Sequence, residues 1–106
     1  MELQQHQRLL QVLQDEYLQK TATVLFTQWD TENEDEEVTR FRGQLTEMQL
    51  SDNEFDEKDL QLIFALEDGE SVEILMEIPK EEADLAFHEA DKLSIYGTEA
   101  ELVLEK

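Results

Sequence analysis

Apolar side chains at Leu3, Leu9, Leu10, Leu13, Tyr17 and Leu18 recur at helical spacing among Gln, His, Arg, Asp and Glu. Residues 2–20 therefore predict one amphipathic helix, uninterrupted by Gly or Pro and closed by Lys20, where a cation suits the helix dipole. Its apolar stripe needs a cover, either the rest of the same domain or a second copy. From Thr21 the period changes to two. Residues 21–29 set Val24 and Phe26 against Leu25, Thr27 and Trp29, a strand buried on much of both faces. In residues 38–50, Phe41, Gly43 and Leu45 share one parity, whereas Met48 and Leu50 take the other, so a bulge or sharp bend is expected after Gly43. Residues 60–78 form a hairpin, with Leu60, Leu62, Phe64 and Leu66 alternating in one arm and Val72, Ile74, Met76 and Ile78 in the other. Asp68-Gly69 between them suits a two-residue turn. After Pro79, residues 80–92 read as a short helix on Ala83, Ala86, Phe87 and Ala90, although Leu85 and Phe87 also fit a short strand. Residues 93–96 and 101–104 around Gly97 form one bent strand or two short ones.

Two segments break this pattern. Residues 30–37, DTENEDEE, hold six acids and no apolar side chain, which predicts a solvated, mobile loop. Residues 51–59 form a second acidic loop, interrupted by Phe55. The expected fold is α+β, one domain over residues 1–106. An N-terminal helix (1–20) precedes a small, strongly bent five-stranded antiparallel sheet or barrel (21–106) carrying the acidic loops. Its expected core is Leu10, Leu13, Tyr17, Val24, Phe26, Phe41, Leu45, Leu62, Phe64, Ile74, Met76 and Ile95.

Arg42-Gly43-Gln44-Leu45 with Met48, followed by Asp59-Leu60-Gln61-Leu62, resembles the first motif of Sm-like proteins, in which a Gly bends the second strand and an apolar third strand follows. Ile95-Tyr96-Gly97 is similar to their shorter second motif. The resemblance implies an Sm-like or SH3-like barrel and, with it, oligomers joined through edge strands. It does not carry over the RNA site: the loop between the second and third strands is expanded and acidic, with Asp52-Asn53 only a partial match, and Tyr96 stands where the family places a basic residue.

Charge narrows the functions further. The 28 Asp and Glu against 8 Lys and Arg give a formal charge of −20, and the eight cations are scattered. Arg40 and Arg42 make the single local cluster, flanking Phe41. A polyanion would be repelled, so direct nucleic-acid binding is not expected. There is no Cys, hence no thiolate site or disulfide framework. A calcium loop needs Gly at its sixth position and Glu at its twelfth; counting from Asp30 these are Asp35 and Phe41, and from Asp52 they are Glu57 and Ile63. His6 and His88 stand in no zinc-binding spacing. No nucleophile elbow or Gly-rich phosphate loop occurs. The expectation is a non-catalytic protein without cofactor or metal, with no membrane-spanning run, located in the cytoplasm.

What remains is recognition driven by charge. The expected partner is a basic protein, bound by Asp30, Glu32, Glu34, Asp35, Glu36 and Glu37 together with Asp52, Glu54, Asp56 and Glu57. Two alternatives stay open: a nucleic-acid mimic that blocks a DNA- or RNA-binding protein, and an Sm-like oligomer that does not bind RNA. A monomer or dimer is expected ahead of a ring, because homotypic packing must overcome the shared charge.

Overall fold

Every strand among the described residues joins one antiparallel sheet in the order β1-β6-β7-β8-β2-β3-β4-β5. The structure, a computed structural model, describes residues 1–30, 32 and 35–106. The strands are β1 (Glu2–Leu3), β2 (Thr21–Asp30), β3 (Asp35–Asp52), β4 (Glu57–Ala65), β5 (Ser71–Pro79), β6 (Ala86–His88), β7 (Lys92–Tyr96) and β8 (Ala100–Glu105). The expected α+β fold with five strands is thus corrected to a mostly β fold with eight. The two additional short strands, of 2 and 3 residues, are too brief to print a period on the sequence, and the final segment divides into β7 and β8.

The N-terminal helix is also shorter than its apolar spacing predicts. Glu2 and Leu3 pair with Phe87 and Ala86, which buries Leu3 and gives β6 a partner. Helix α1 covers only His6–Val12 and continues as a π-helical turn over Leu13–Tyr17. That turn closes with the Leu18 amide donating to the Leu13 carbonyl at 2.8 Å. Gln19, at φ 67°, then turns the chain away in the left-handed region. Tertiary packing decides the helix length, since so short a helix has little stability of its own. Leu9, Val12, Leu13 and Tyr17 are buried in the protein's own core, so the stripe does not await a second copy. Tyr17 is 1% exposed, its hydroxyl donates to the Leu104 carbonyl at 3.4 Å, and burial pushes its phenol up to about 12.

In residues 80–92 the strand pattern prevails over the helical one. Leu85 is buried and Ala86–His88 form β6, because the Leu85 amide donates to the Leu3 carbonyl and the Tyr96 amide to the Leu85 carbonyl, at 3.0 and 2.9 Å. The β4–β5 hairpin forms as expected, but with a different turn. Only Gly69 has positive φ, at 90°, whereas a type I′ turn needs it at both central residues. Gly69 N–H instead donates to the Leu66 carbonyl, and Leu66 N–H to the Glu70 carbonyl, a three-residue loop ending in a glycine bulge.

Strand β3 shapes the molecule. Its 18 residues would span about 60 Å if straight, yet the longest dimension of the protein is 35 Å. The bend falls where the parity change placed it: Leu45 pairs with Phe64 and Glu47 with Ile63, leaving Thr46 as the extra residue. Packing at Gly43 is tight, since a Cβ there would lie 3.1 Å from the Ala65 carbonyl oxygen and the neighbouring strand would have to give way slightly. The sheet curls until its far end meets the β7–β8 turn, where Thr98 N–H donates to the Glu77 carbonyl at 3.0 Å. Gly97 makes that meeting possible, because a Cβ would stand 2.6 Å from Met76 Cε and 2.7 Å from Glu77 O. Of the expected core, all are buried except Leu10 and Phe41, which pack against it partly buried. No helix among the described residues is long and apolar enough to cross a membrane.

Candidate functional site

The curl carries the two acidic segments, at opposite ends of the 18-residue β3, to the border of one groove. The expected acidic loop is strand at both described ends: Asp30 ends β2 and Asp35, Glu36 and Glu37 begin β3, with Gln28 opposite Glu37, Trp29 opposite Glu36 and Asp30 opposite Asp35. Pairing of the flanking strands continues through the charge run, because exposed carboxylates tolerate a ladder when their side chains project into solvent. Glu32 is exposed and its amide donates to Asp30 Oδ1 at 3.1 Å. Glu34 lies outside the described residues.

Residues 51–59 likewise divide between strands, Ser51 and Asp52 ending β3 and Glu57, Lys58 and Asp59 beginning β4. Asn53 organises the turn between them. Its Oδ1 accepts from the amides of Phe55 and Glu57 at 2.9 and 3.1 Å, and its Nδ2 donates to Asp59 Oδ1 at 3.0 Å, an Asx turn. Asp56 completes it in the left-handed region at φ 61°. Most of the acids here are engaged. Asp52 takes the Lys58 ammonium at 2.7 Å and Asp56 takes Lys80 at 3.1 Å, while Glu57 Oε2 accepts from the Thr98 hydroxyl at 2.8 Å. The hydrogen bond and charge of Lys58 hold the Asp52 carboxyl below its usual range, and Asp56 raises Lys80 in the same way. Glu54 is exposed beside them.

Between the two tips lies a groove of about 450 Å³. Trp29, Phe55 and Leu75 line it, and they are 40%, 69% and 53% exposed. Asp59, Glu77 and Glu99 line it as well. Asp59 and Glu77 stand directly opposite one another in the β4–β5 ladder, a like-charge pair that disfavours the free state and that a cation would relieve. An adjoining hollow shares Gln28, Trp29 and Glu99 and adds Asp30, Asp35, Glu36 and Glu37. Among the described residues, no ion pair reaches Asp35, Glu36, Glu37, Asp59, Glu77 or Glu99.

The expected surface is thus only partly gathered at one place. Of its ten residues, Asp30, Asp35, Glu36 and Glu37 border the hollow, whereas Asp52, Asp56 and Glu57 are engaged by Lys58, Lys80 and Thr98. Sequence reasoning missed the apolar floor and the acids brought in from β4, β5 and the β7–β8 turn. One signal was present, an aromatic residue beside or inside each acidic run, Trp29 and Phe55. The position of Leu75 on the outer face of an edge strand left no such mark. No group of three or more potential ligands among the described residues converges on a metal position. The cations Arg40 and Arg42 take places on β3 opposite Leu25 and Thr23, and Arg42 donates to the Thr23 hydroxyl at 3.2 Å. The chain matches no protein-family model, no curated protein and no solved structure.

Proposed function

We propose that this protein is a non-catalytic recognition module whose groove takes a basic segment of another protein. The observation that carries the reading is the combination of three solvent-exposed apolar side chains, Trp29, Phe55 and Leu75, with the bordering acids Asp59, Glu77 and Glu99, which no ion pair reaches among the described residues. An apolar floor of this kind holds the aliphatic stems of Lys and Arg, or apolar residues between them, and the aromatic faces attract the cationic heads. The acids add steering and discriminate against anionic competitors. A nucleic-acid mimic has weaker support, since it would act by presenting carboxylates to a partner's cleft. Here the apolar side chains line a concavity, and Asp52 and Asp56 are neutralised by the protein's own lysines.

Trp29 is the only tryptophan, so its fluorescence reports occupancy of the groove directly. Titration with a synthetic peptide alternating Lys and Leu should shift Trp29 emission, with affinity falling as salt rises. An unaltered emission at low salt, under conditions where an acidic control peptide is equally silent, rejects the reading. Stronger capture of basic nucleic-acid-binding proteins by the protein, undiminished in Trp29→Ala, would favour the mimic instead.

A further inference from the structure

We infer that the basic segment docks as an added β-strand on the open edge of β5, a mode that rests on the groove reading above. Among the described residues, strand β5 is the last of the sheet and pairs only with β4. The orientation of its backbone follows from two hydrogen bonds at its far end. The Glu77 carbonyl accepts from Thr98 N–H at 3.0 Å, and the Pro79 carbonyl accepts from His6 Nε2 at 2.8 Å, so both point away from β4. By the two-residue period, Leu75, Glu73 and Ser71 turn their N–H and C=O groups outward too. Thr98 and His6 close the edge at Glu77–Pro79, leaving Ser71–Leu75 as an open ladder. Leu75 is at once the last residue of that ladder and a wall of the groove shared with Trp29.

Open edges of soluble proteins are ordinarily blunted by Lys, Pro or a bulge. Residues 71–75 contain none of these, and their exposed side chains include Glu73 and Leu75. The charge selects the occupant. In an antiparallel pair of two copies over the open residues 71–75, centred on Glu73, Glu73 of one would face Glu73 of the other, placing like charges directly opposite between chains that each carry −20. An extended cationic segment meets the reverse situation: a Lys or Arg opposite Glu73, an apolar side chain opposite Leu75 and beside Trp29, and a further cation directed at the Asp59–Glu77 pair. Main-chain hydrogen bonds would supply affinity and this alternation the specificity.

The test uses the full chain and three synthetic peptides of the repeat Lys-Ser-Val-Ser, in which Lys and Val alternate along one face of an extended strand: one unmodified, and two N-methylated at every second amide in opposite phases. Added-strand docking predicts that the phase whose methyl groups face β5 weakens binding by about ten-fold or more, the loss of two or so hydrogen bonds, while the other phase binds like the unmodified peptide. The amides of Ser71, Glu73 and Leu75 should gain exchange protection on binding. Glu73→Pro, which removes an outward amide without breaking the β4 ladder, should lose affinity well beyond Glu73→Gln; if the proline variant does not fold, the two peptide phases decide alone. Equal affinity of both phases with a Trp29 response overturns strand addition and leaves the groove reading standing. Silence of Trp29 towards all three peptides overturns the groove reading and this mode with it. Concentration-dependent protection of the same amides in the free protein would overturn the assignment in favour of self-pairing.

Discussion

The two acidic tips have nearly the same composition and opposite internal economies. At the β3–β4 turn the acids are used by the fold: Asp52 and Asp56 hold lysines, Glu57 holds Thr98, and Asn53 ties three neighbours together. At the β2–β3 tip, Asp35, Glu36 and Glu37 have no cation within reach among the described residues, and Asp35 stands opposite Asp30. A run of carboxylates therefore has no fixed meaning. Its role is decided by what the topology delivers to it, and here β5 delivers Lys80 to one tip, while the β7–β8 turn delivers only Glu99 to the hollow beside the other.

The largest expected effect provides the baseline for comparing the tips, because it acts on the core beneath both. The Tyr17 phenol ionises at about 12 in the folded protein against 10 in a free chain. A raised value means that the neutral form is favoured on folding. The stabilisation is complete below pH 10 and drains away as pH rises from 10 to 12, amounting to about 3 kcal/mol once the phenol is ionised in both states. Urea unfolding across this range should show a falling midpoint that Tyr17→Phe removes. Both tips should lose amide protection together; a tip that melts earlier is an independent unit.

Asn53→Ala comes next. It deletes the bonds to the Phe55 and Glu57 amides and to Asp59, at a cost of about 2 kcal/mol, and should loosen Phe55 from the groove. A loss under about 0.5 kcal/mol would mean that the ion pairs alone hold this turn and that the contrast between the tips is weaker than drawn.

How far this was legible in the sequence differs by element. Period-two alternation located β2 to β5 and, with the helical stripe, about half of the buried core, because each of these strands has one face that must be buried. The parity change after Gly43 located the β3 bulge. Short strands and the split of the helix were not legible, since two or three residues carry no period and the π-helical turn is imposed by packing of Tyr17. For the site, the acids of the first tip were legible as charge. The engagement of Asp52 and Asp56 was not, because Lys80 reaches Asp56 from 24 residues away in sequence through the pairing of β4 with β5. The groove itself depends on the curl of the whole sheet, which no local window contains.

Charge removal should move the two tips in opposite directions. Asp35→Asn relieves the cross-strand repulsion with Asp30 and should stabilise by about 0.5 kcal/mol, with the gain shrinking as salt screens it. The same variant should weaken the response of Trp29 to a lysine-rich peptide, so stability and binding separate at this tip. A destabilised Asp35→Asn would show that the acid has a structural role and that the tip resembles its counterpart.

The smallest effect is the most diagnostic of the difference. Lys58 holds Asp52 below its usual carboxyl range of 3.8, and a depressed value means that the charged form is favoured on folding. Its contribution is present above about pH 3.8 and is lost as pH falls through the lower folded value. Carbon chemical shifts of the Asp52 carboxyl, followed through acid titration together with amide exchange at the β3–β4 turn, measure this trend. In Lys58→Met the Asp52 titration should move up towards its ordinary range. An unmoved titration would mean that the short contact with Lys58 contributes nothing in solution, and the two tips would then differ in geometry but not in electrostatics.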